Sequence, residues 1–411
     1  MDACQTRIDG ELPGAYSHFV NGPTPPGLGR AATTAVPPGS SFLATLEGRY
    51  YVDPAVFELE QERIFSASWI CAVRSSDLTS AGDFQTVEVG GESIVAVRGR
   101  DQVVRAFLNV CRHRGSQLCS APAGRLRGAF LCPYHAWSYA FDGRLVGAPN
   151  IAEISDQDQL GRHLFEVASR EWLGYLWICL SDRPPPFEES VLSQVAERLG
   201  SAERIDHYGM DRLAVGRRIE YEVKANWKLV IENFMECYHC GTLHPELIAL
   251  LPEFRKGQAT QSQSGHGALF ADGVDGFTVG GARGFGKLPG LADDQDRRYY
   301  GMTVTPQVII NLVPDHVILH RVFPLAPERT LIVCDWLFAR EVVESGADLG
   351  PSVDVFHRVN QQDFGAVEST QPSMSSRAYR RGGVLVPVEH HMALFHDWVR
   401  RMLGEGVASG P

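Results

Sequence analysis

Residues 226–247 read NWKLVIENFMECYHCGTLHPEL, and this stretch decides the fold. Asn226 is a favourable N-cap, and Trp227, Val230, Ile231, Phe234 and Tyr238 recur at helical spacing. Gly241 after the last periodic residue, with Pro245 beyond it, predicts where the helix stops. Asn233, Glu236 and His239 lie three apart and are expected on one helix face. His244 follows Gly241 and precedes Pro245, which biases it towards an extended backbone. Two imidazoles can therefore converge on one point, from a helix end and from the segment after it. Imidazole suits iron, zinc and copper. Cys237 and Cys240 leave two other readings open: a small zinc site with the histidines, or a redox C-x-x-C pair.

A second cluster lies upstream. Cys111-Arg-His113 is followed, after eighteen intervening residues, by Cys132-Pro-Tyr-His135. The order C-x-H…C-x2-H fits a Rieske [2Fe–2S] centre, in which two histidines replace two cysteines on one iron and raise the reduction potential. A zinc finger would place its cysteines together and its histidines together. Here each loop offers one Cys and one His, hence one ligand to each iron. Gly115 and Pro133 suit tight loops that aim backbone N–H groups at bridging sulfides.

With both clusters in view, the chain resembles the large (alpha) subunit of the Rieske non-haem iron oxygenases. CRHRG at 111–115, CPYHAW at 132–137 and E-x2-H-x4-H at 236–244 carry the resemblance, which runs from about Tyr50 to about Leu403. Within the family, the NWK, ECYHC and HPEL segments are most similar to the glycine betaine and stachydrine oxygenases, which act on quaternary ammonium compounds. Ring-hydroxylating dioxygenases carry Asp where this chain has Glu236. Many relatives have Gly where this chain has Ala136.

Composition is that of an ordinary globular chain of 411 residues, 44% hydrophobic and 21% charged, enough for two or three domains. Thirty-eight basic against forty-nine acidic residues give a net charge of −11, which argues against nucleic acid or an anionic membrane surface as a partner. No run of eighteen apolar residues occurs, and the first residues, MDACQTRIDGELPGAY, lack a basic start and an apolar core, so neither a membrane span nor a signal peptide is expected. Beyond Cys111 and Cys132, seven cysteines are scattered, several in apolar runs, and free buried thiols in a cytoplasmic protein are expected rather than a disulfide framework.

Along the chain, residues 1–44 are rich in Pro, Gly, Ala, Ser and Thr and read as a flexible N-terminal arm. Residues 54–69 read as a helix with Phe57, Gln61 and Ile64 on one side. Short β-rich runs (FQTVEV, SIVAVRG, VVRAFLNV, AFLCPY, WSYAFDG, GYLWICLS) form a small all-β module up to the RPPP boundary at 183–186. VLSQVAERLG is an amphipathic helix, and RLAVGRRIEYEVKA alternates as strand does. Residues 252–300, with ten glycines from Gly257 to Gly290, read as a long loop: a lid, a subunit contact or plain disorder. MTVTPQVIINLV, HVILHRVFPL and TLIVCDWLF predict an antiparallel sheet. In the helix expected after it, Val355, Val359, Asp363 and Val367 are four apart, so Asp363 is the one carboxylate on an apolar stripe and needs a cation or donors.

The fold expected is therefore α+β. Residues 45–183 form the Rieske [2Fe–2S] domain with its preceding helix, and 184–411 the catalytic domain, for which the resemblance implies an antiparallel sheet gripped by helices (helix-grip type). Cys111, His113, Cys132 and His135 would hold the cluster. His239, His244 and Asp363 would hold mononuclear Fe(II) as two histidines and one carboxylate, with positions open for dioxygen. Asp363 is also where the family's iron carboxylate falls, in the N-x-x-D segment from Asn360. Electrons must come from another protein, since no G-x-G-x-x-G follows a strand here; a ferredoxin or flavin reductase fed by NAD(P)H is expected. The resemblance further implies a homotrimer in which Glu236 bridges the second cluster histidine of a neighbour to His239. Three functions follow: oxygenation and N-demethylation of a betaine-like compound, ring hydroxylation of an aromatic acid, or zinc binding without catalysis. Aromatic residues that would suit a quaternary ammonium substrate are Phe234, Tyr238, Phe323, Trp336, Phe395 and Trp398.

Overall fold

The computed structural model describes residues 40–151, 153–257 and 265–405. Most of the arm read at 1–44, including Cys4, lies outside them, as do seven residues of the glycine-rich loop. Two large antiparallel sheets organise the rest. The first has seven strands in the order Ile70–Arg74, Tyr175–Cys179, Glu166–Trp172, Val104–Leu108, Glu92–Arg98, Asp83–Val89 and Ala123–Arg125. A three-stranded sheet of Phe130–Leu131, Ser138–Tyr139 and Leu145–Gly147 carries the second cluster loop. The second large sheet has six strands: Ala214–Val223, Arg329–Phe338, His316–Ala326, Val308–Leu312, Arg298–Val304 and Ala268–Leu269. The run MTVTPQVIINLV thus becomes two paired strands, broken around Pro306, which has no N–H to give a ladder.

The helix Gly350–Thr370 lies against the second sheet. Val355, Phe356 and Val359 pack with Ile318, Cys334 and Trp336. The expected stripe is real: Val355, Val359, Asp363 and Val367 are all buried. The N-terminal helix differs. Its buried positions are Val56, Glu60, Ile64 and Phe65, so of the three expected only Ile64 is buried, and the helix passes into a π-helix at Gln61–Phe65.

Buried charges tie the two sheets together. Asp335, in the second sheet, accepts from Tyr175 of the first (2.9 Å) and from Arg218 (2.5 Å), and Arg218 reaches Asp77 (2.6 Å). A second tie holds the N-terminal helix to the helix of the opening motif. Lys228 Nζ lies 2.5 Å from Glu60 Oε1, both fully buried, and Trp227 donates to the other carboxylate oxygen at 2.8 Å. Removing one partner of such a pair leaves a buried charge uncompensated. Glu60→Ala is therefore expected to cost about 3–5 kcal/mol in chemical unfolding, and Glu60→Met combined with Lys228→Met to recover most of it. A loss below about 1 kcal/mol in the single variant, the range of an exposed pair, would contradict this.

The glycine-rich segment is packed where it is described. Phe254, Phe270, Phe277, Leu288 and Leu291 are buried, and Arg283 joins Asp275 to Asp296. Plain disorder does not describe those residues. Among the described residues no helix is long and apolar enough to cross a membrane.

Candidate active site

The opening motif folds shorter than its periodicity suggests. Asn226 caps the helix, accepting from Lys228 N–H, but the helix runs only from Trp227 to Met235. The carbonyl of Met235 takes a hydrogen bond from His391 Nε2 at 2.6 Å, and Glu236 is extended. Glu236 and His239 thus lie beyond the helix and do not share its face with Asn233. Gly241 is not the stop signal either; it sits inside the short helix Cys240–Leu243. Tyr238, expected on the apolar side, is 59% exposed. The turn is built by Glu236 itself: Oε2 accepts from the N–H groups of Tyr238 and His239, and Oε1 from His239 Nδ1 at 2.5 Å.

The expected triad comes together. Asp363 Oδ1 lies 3.2 Å from His239 Nε2 and 2.9 Å from His244 Nε2, with the imidazole planes at 83°. Each Nδ1 already faces an acceptor, Glu236 Oε1 for His239 and Gln362 Oε1, at 2.6 Å, for His244. With those N–H bonds made, the two Nε2 atoms and Asp363 Oδ1 are left to share a positive charge between them, a proton or a metal cation. Bonds of about 2.1 Å at right angles to a metal would separate two donor atoms by about 3.0 Å, close to the spacing of Asp363 Oδ1 from each histidine nitrogen. Burial opposes charge on His239, yet Asp363 and Glu236 raise its imidazole to about 10. Burial likewise pushes Asp363 up, but its bonds to both histidines hold it below the usual carboxylate range. The environment favours positive charge, and the donor set fits a divalent metal.

Cys240 Sγ also approaches His239 Nε2, at 3.8 Å. It is bonded to Cys237, however, and a disulfide sulfur is not the thiolate that ligates metals. The expectation of free thiols fails for this pair, since three-residue spacing across a tight turn brings the two sulfurs together. It holds for the other described cysteines, all buried.

The upstream cluster residues also converge, on two loops of matching construction. Cys111 N–H bonds Ser116 O and Gly115 N–H bonds Cys111 O; Cys132 N–H bonds Trp137 O and Ala136 N–H bonds Cys132 O. Gly115 and Ala136 occupy the same left-handed place in each loop, φ +76° and +57°, so Ala136 accepts a strain of about 1–2 kcal/mol that glycine would avoid. Both cysteines are buried, and Tyr139 OH, which takes Arg112 N–H, stands 3.2 Å from Cys111 Sγ. His113 and His135 have ring centroids 4.7 Å apart, and His113 stacks on Trp137 at 4.9 Å. His135 Nδ1 is buried with no protein partner, as an iron-directed nitrogen should be. Two buried sulfurs, two adjacent imidazoles and an orphaned nitrogen fit a [2Fe–2S] group. Among the described residues no hydrogen bond or ion pair joins His113 or His135 to Glu236 or His239.

A cavity opens on the triad. Its wall is aromatic: Phe234, Phe254, Tyr299 and Phe356, with Asn233 and Val359 beside them. Of the aromatic residues expected from sequence, only Phe234 is there. Trp336 is core, Phe323 lies in another cluster, and Phe395 and Trp398 line a larger cavity of about 760 Å³ that none of the triad borders. Size alone would point to the wrong place. Phe254, Tyr299 and Phe356 were missed because they come from three separate segments. Gln362, whose amide oxygen meets His244 Nδ1, was missed although it precedes Asp363.

Two family models match the chain: the Rieske [2Fe-2S] domain over residues 68–160 and the ring hydroxylating alpha subunit (catalytic domain) over 210–405. A glycine betaine monooxygenase oxygenase subunit of Chromohalobacter salexigens is 31% identical over 382 residues, which cover 85% of this chain and 83% of the relative. A carnitine monooxygenase oxygenase subunit of Escherichia coli K12 is 32% identical over 364 residues, 86% of this chain and 92% of the relative. A solved quaternary ammonium Rieske monooxygenase in complex with the substrate gamma-butyrobetaine superposes with a TM-score of 0.67 at 29% identity, covering 88% of this chain and 96% of that one.

Proposed function

Because this chain belongs to the Rieske non-haem iron oxygenases, as an oxygenase (alpha) subunit, we propose that it oxidises a small quaternary ammonium compound of the betaine type. It is an oxidoreductase whose family cofactors are a Rieske [2Fe–2S] cluster and a mononuclear non-haem iron, which excludes zinc binding without catalysis. The observation that carries the substrate is the lining of the triad cavity, about 50 Å³, where four aromatic residues stand beside two carboxylates, Asp363 and Glu236. A methylated ammonium binds aromatic faces by cation–π attraction, worth about 2 kcal/mol when desolvated, and needs no hydrogen-bond partner.

Cys111, His113, Cys132 and His135 hold the cluster in this reading, and His239, His244 and Asp363 the iron. When bound, that iron would activate dioxygen with electrons supplied one at a time by the cluster. The chain's own residues bind and orient. Glu236 fixes the His239 ring through Nδ1, and the aromatic wall presents a C–H next to nitrogen to the triad while keeping water out. Hydroxylation of an N-methyl carbon gives an N-hydroxymethyl compound that collapses to formaldehyde and the demethylated amine. The same step on the larger substituent would release trimethylamine instead.

The partners proposed are a ferredoxin or flavin reductase drawing on NAD(P)H, and two further copies of the chain in a cytoplasmic homotrimer. In the trimer Glu236 receives a second N–H, from His135 of the partner subunit. A carboxylate that links two rings without ligating either metal has a distinct signature. Glu236→Ala is expected to keep the cluster and, with iron supplied in excess to offset weaker binding at His239, the mononuclear iron, and to slow oxidation of the reduced cluster by O2 and substrate by about tenfold or more, read by stopped-flow absorbance. Oxidation at the parent rate would remove Glu236 from the electron path.

The substrate is tested by O2 uptake with a generic reductase against betaines, carnitine-like compounds and aromatic acids. Formaldehyde or trimethylamine equal to the O2 consumed, from an ammonium compound, is the expected result. Tight coupling with an aromatic acid, and none with any ammonium compound, would replace this reading by ring hydroxylation.

A further inference from the structure

The two nitrogens of His244 are engaged by consecutive residues of one helix. Asp363 Oδ1 stands at Nε2, 2.9 Å away, and Gln362 Oε1 at Nδ1, 2.6 Å away. A glutamine at Nδ1 is ambiguous by itself, because its amide can present oxygen or nitrogen to the ring. Glu246 removes the ambiguity. Its Oε1 lies 3.0 Å from Gln362 Nε2, and a carboxylate can only accept. The amide nitrogen must therefore face Glu246 and the amide oxygen must face the ring. It follows that Nδ1 of His244 carries a proton, which leaves Nε2 as the nitrogen available to a metal. Glu246 lies two residues after His244, in HPEL, so the ring and the group that sets its tautomer come from one short segment, joined through a side chain of the distant Gly350–Thr370 helix.

We propose that Glu246 and Gln362 are positioning residues of the mononuclear site: Glu246 orients the Gln362 amide, which holds His244 in the tautomer that offers Nε2 to the metal. The inference rests on the reading of His244 as a metal ligand. His239 is served differently, since its Nδ1 faces the charged carboxylate of Glu236 directly. The two histidines thus differ in the basicity that their outer partners confer, with His244 backed by a neutral amide.

The test is metal affinity, measured on the full-length, cluster-loaded protein after the mononuclear site has been emptied by a chelator. Cobalt(II) is the probe, titrated in competition with a fluorescent chelator. Gln362→Leu removes the acceptor at Nδ1 and is expected to weaken cobalt binding by about ten- to a hundredfold. Glu246→Gln keeps the shape but frees the amide to turn either way, and a smaller, several-fold loss is expected. The exchange of both, Glu246→Gln with Gln362→Glu, keeps the total charge and restores the bond directions: the carboxylate at position 362 accepts from Nδ1, and the amide at 246 donates to that carboxylate. It is expected to bind within about threefold of the parent. Parent-like affinity in Gln362→Leu would overturn the relay, and so would an exchange variant no better than Glu246→Gln alone, which would mean that only packing matters. If Gln362→Leu loses its cluster spectrum and so has not folded, the two near-isosteric variants carry the comparison. A parent chain that binds no cobalt at this site would strike the metal reading itself, a result distinct from unchanged affinity in the variants.

Discussion

Asp363→Ala is expected to keep the visible spectrum of the cluster, to lose the mononuclear iron and to lower turnover by more than about a hundredfold, since even outer partners of a metal ligand are worth ten- to a hundredfold. Among the described residues the carboxylate is the one acidic group that touches both His239 Nε2 and His244 Nε2, and it is 3% exposed, so no solvent-borne anion replaces it readily. Stability should change far less than iron content. The residue sits on a stripe whose other members, Val355, Val359 and Val367, keep the helix seated. Iron analysis and the cluster absorbance, measured together, check the result. Normal iron content with normal turnover would move the ligand elsewhere. Glu368, the next carboxylate along the helix, is not a strong substitute, because its Oε1 is taken by the N–H of Lys224.

Cys111→Ala is expected to have the converse effect: loss of the visible absorption and of acid-labile sulfide, loss of all coupled turnover, and retention of about one mononuclear iron per chain. The sulfur is buried in a loop whose backbone bonds to Ser116 and Gly115 do not involve the side chain, so the loop has means to persist without it. What is lost is the anionic ligand, together with the acceptor of the Tyr139 hydroxyl. Sulfide assay and iron counting separate the two sites in one experiment. A colourless parent chain holding zinc in both sites would remove the basis of this prediction and of the oxygenase reading alike.

Much of the candidate site was legible from sequence, because the residues expected as ligands come in short segments of fixed spacing. Cys111 with His113, Cys132 with His135, and His239 with His244 each lie within one turn or loop, where chain geometry alone brings donors together. Asp363 could be found because period four over Val355, Val359 and Val367 exposes a carboxylate on an apolar face. The antiparallel sheets were visible as short runs rich in β-branched and aromatic residues between turn residues, since those side chains suit a pleated, buried surface. Even the departure at Ala136 was visible as a residue, though not as a left-handed one matched to Gly115.

What only the tertiary structure decided are the contacts between segments far apart in the chain. Periodicity carried the opening helix to Tyr238, but His391, more than a hundred residues on, takes the carbonyl of Met235, and the helix ends there. A hydrogen bond of that kind competes with the next helical turn at nearly equal energy, so neither propensity nor spacing can foresee which wins. The buried Glu60–Lys228 pair, the bond from His244 to Gln362 and on to Glu246, and the aromatic wall of Phe254, Tyr299 and Phe356 have the same character. Each joins residues whose separate sequence contexts are unremarkable, and each exists because packing the Gly350–Thr370 helix and the N-terminal helix around the second sheet removes them from water together. Local sequence chose the donors and their spacing; the arrangement of helices on the sheet chose which polar partners those donors were buried with.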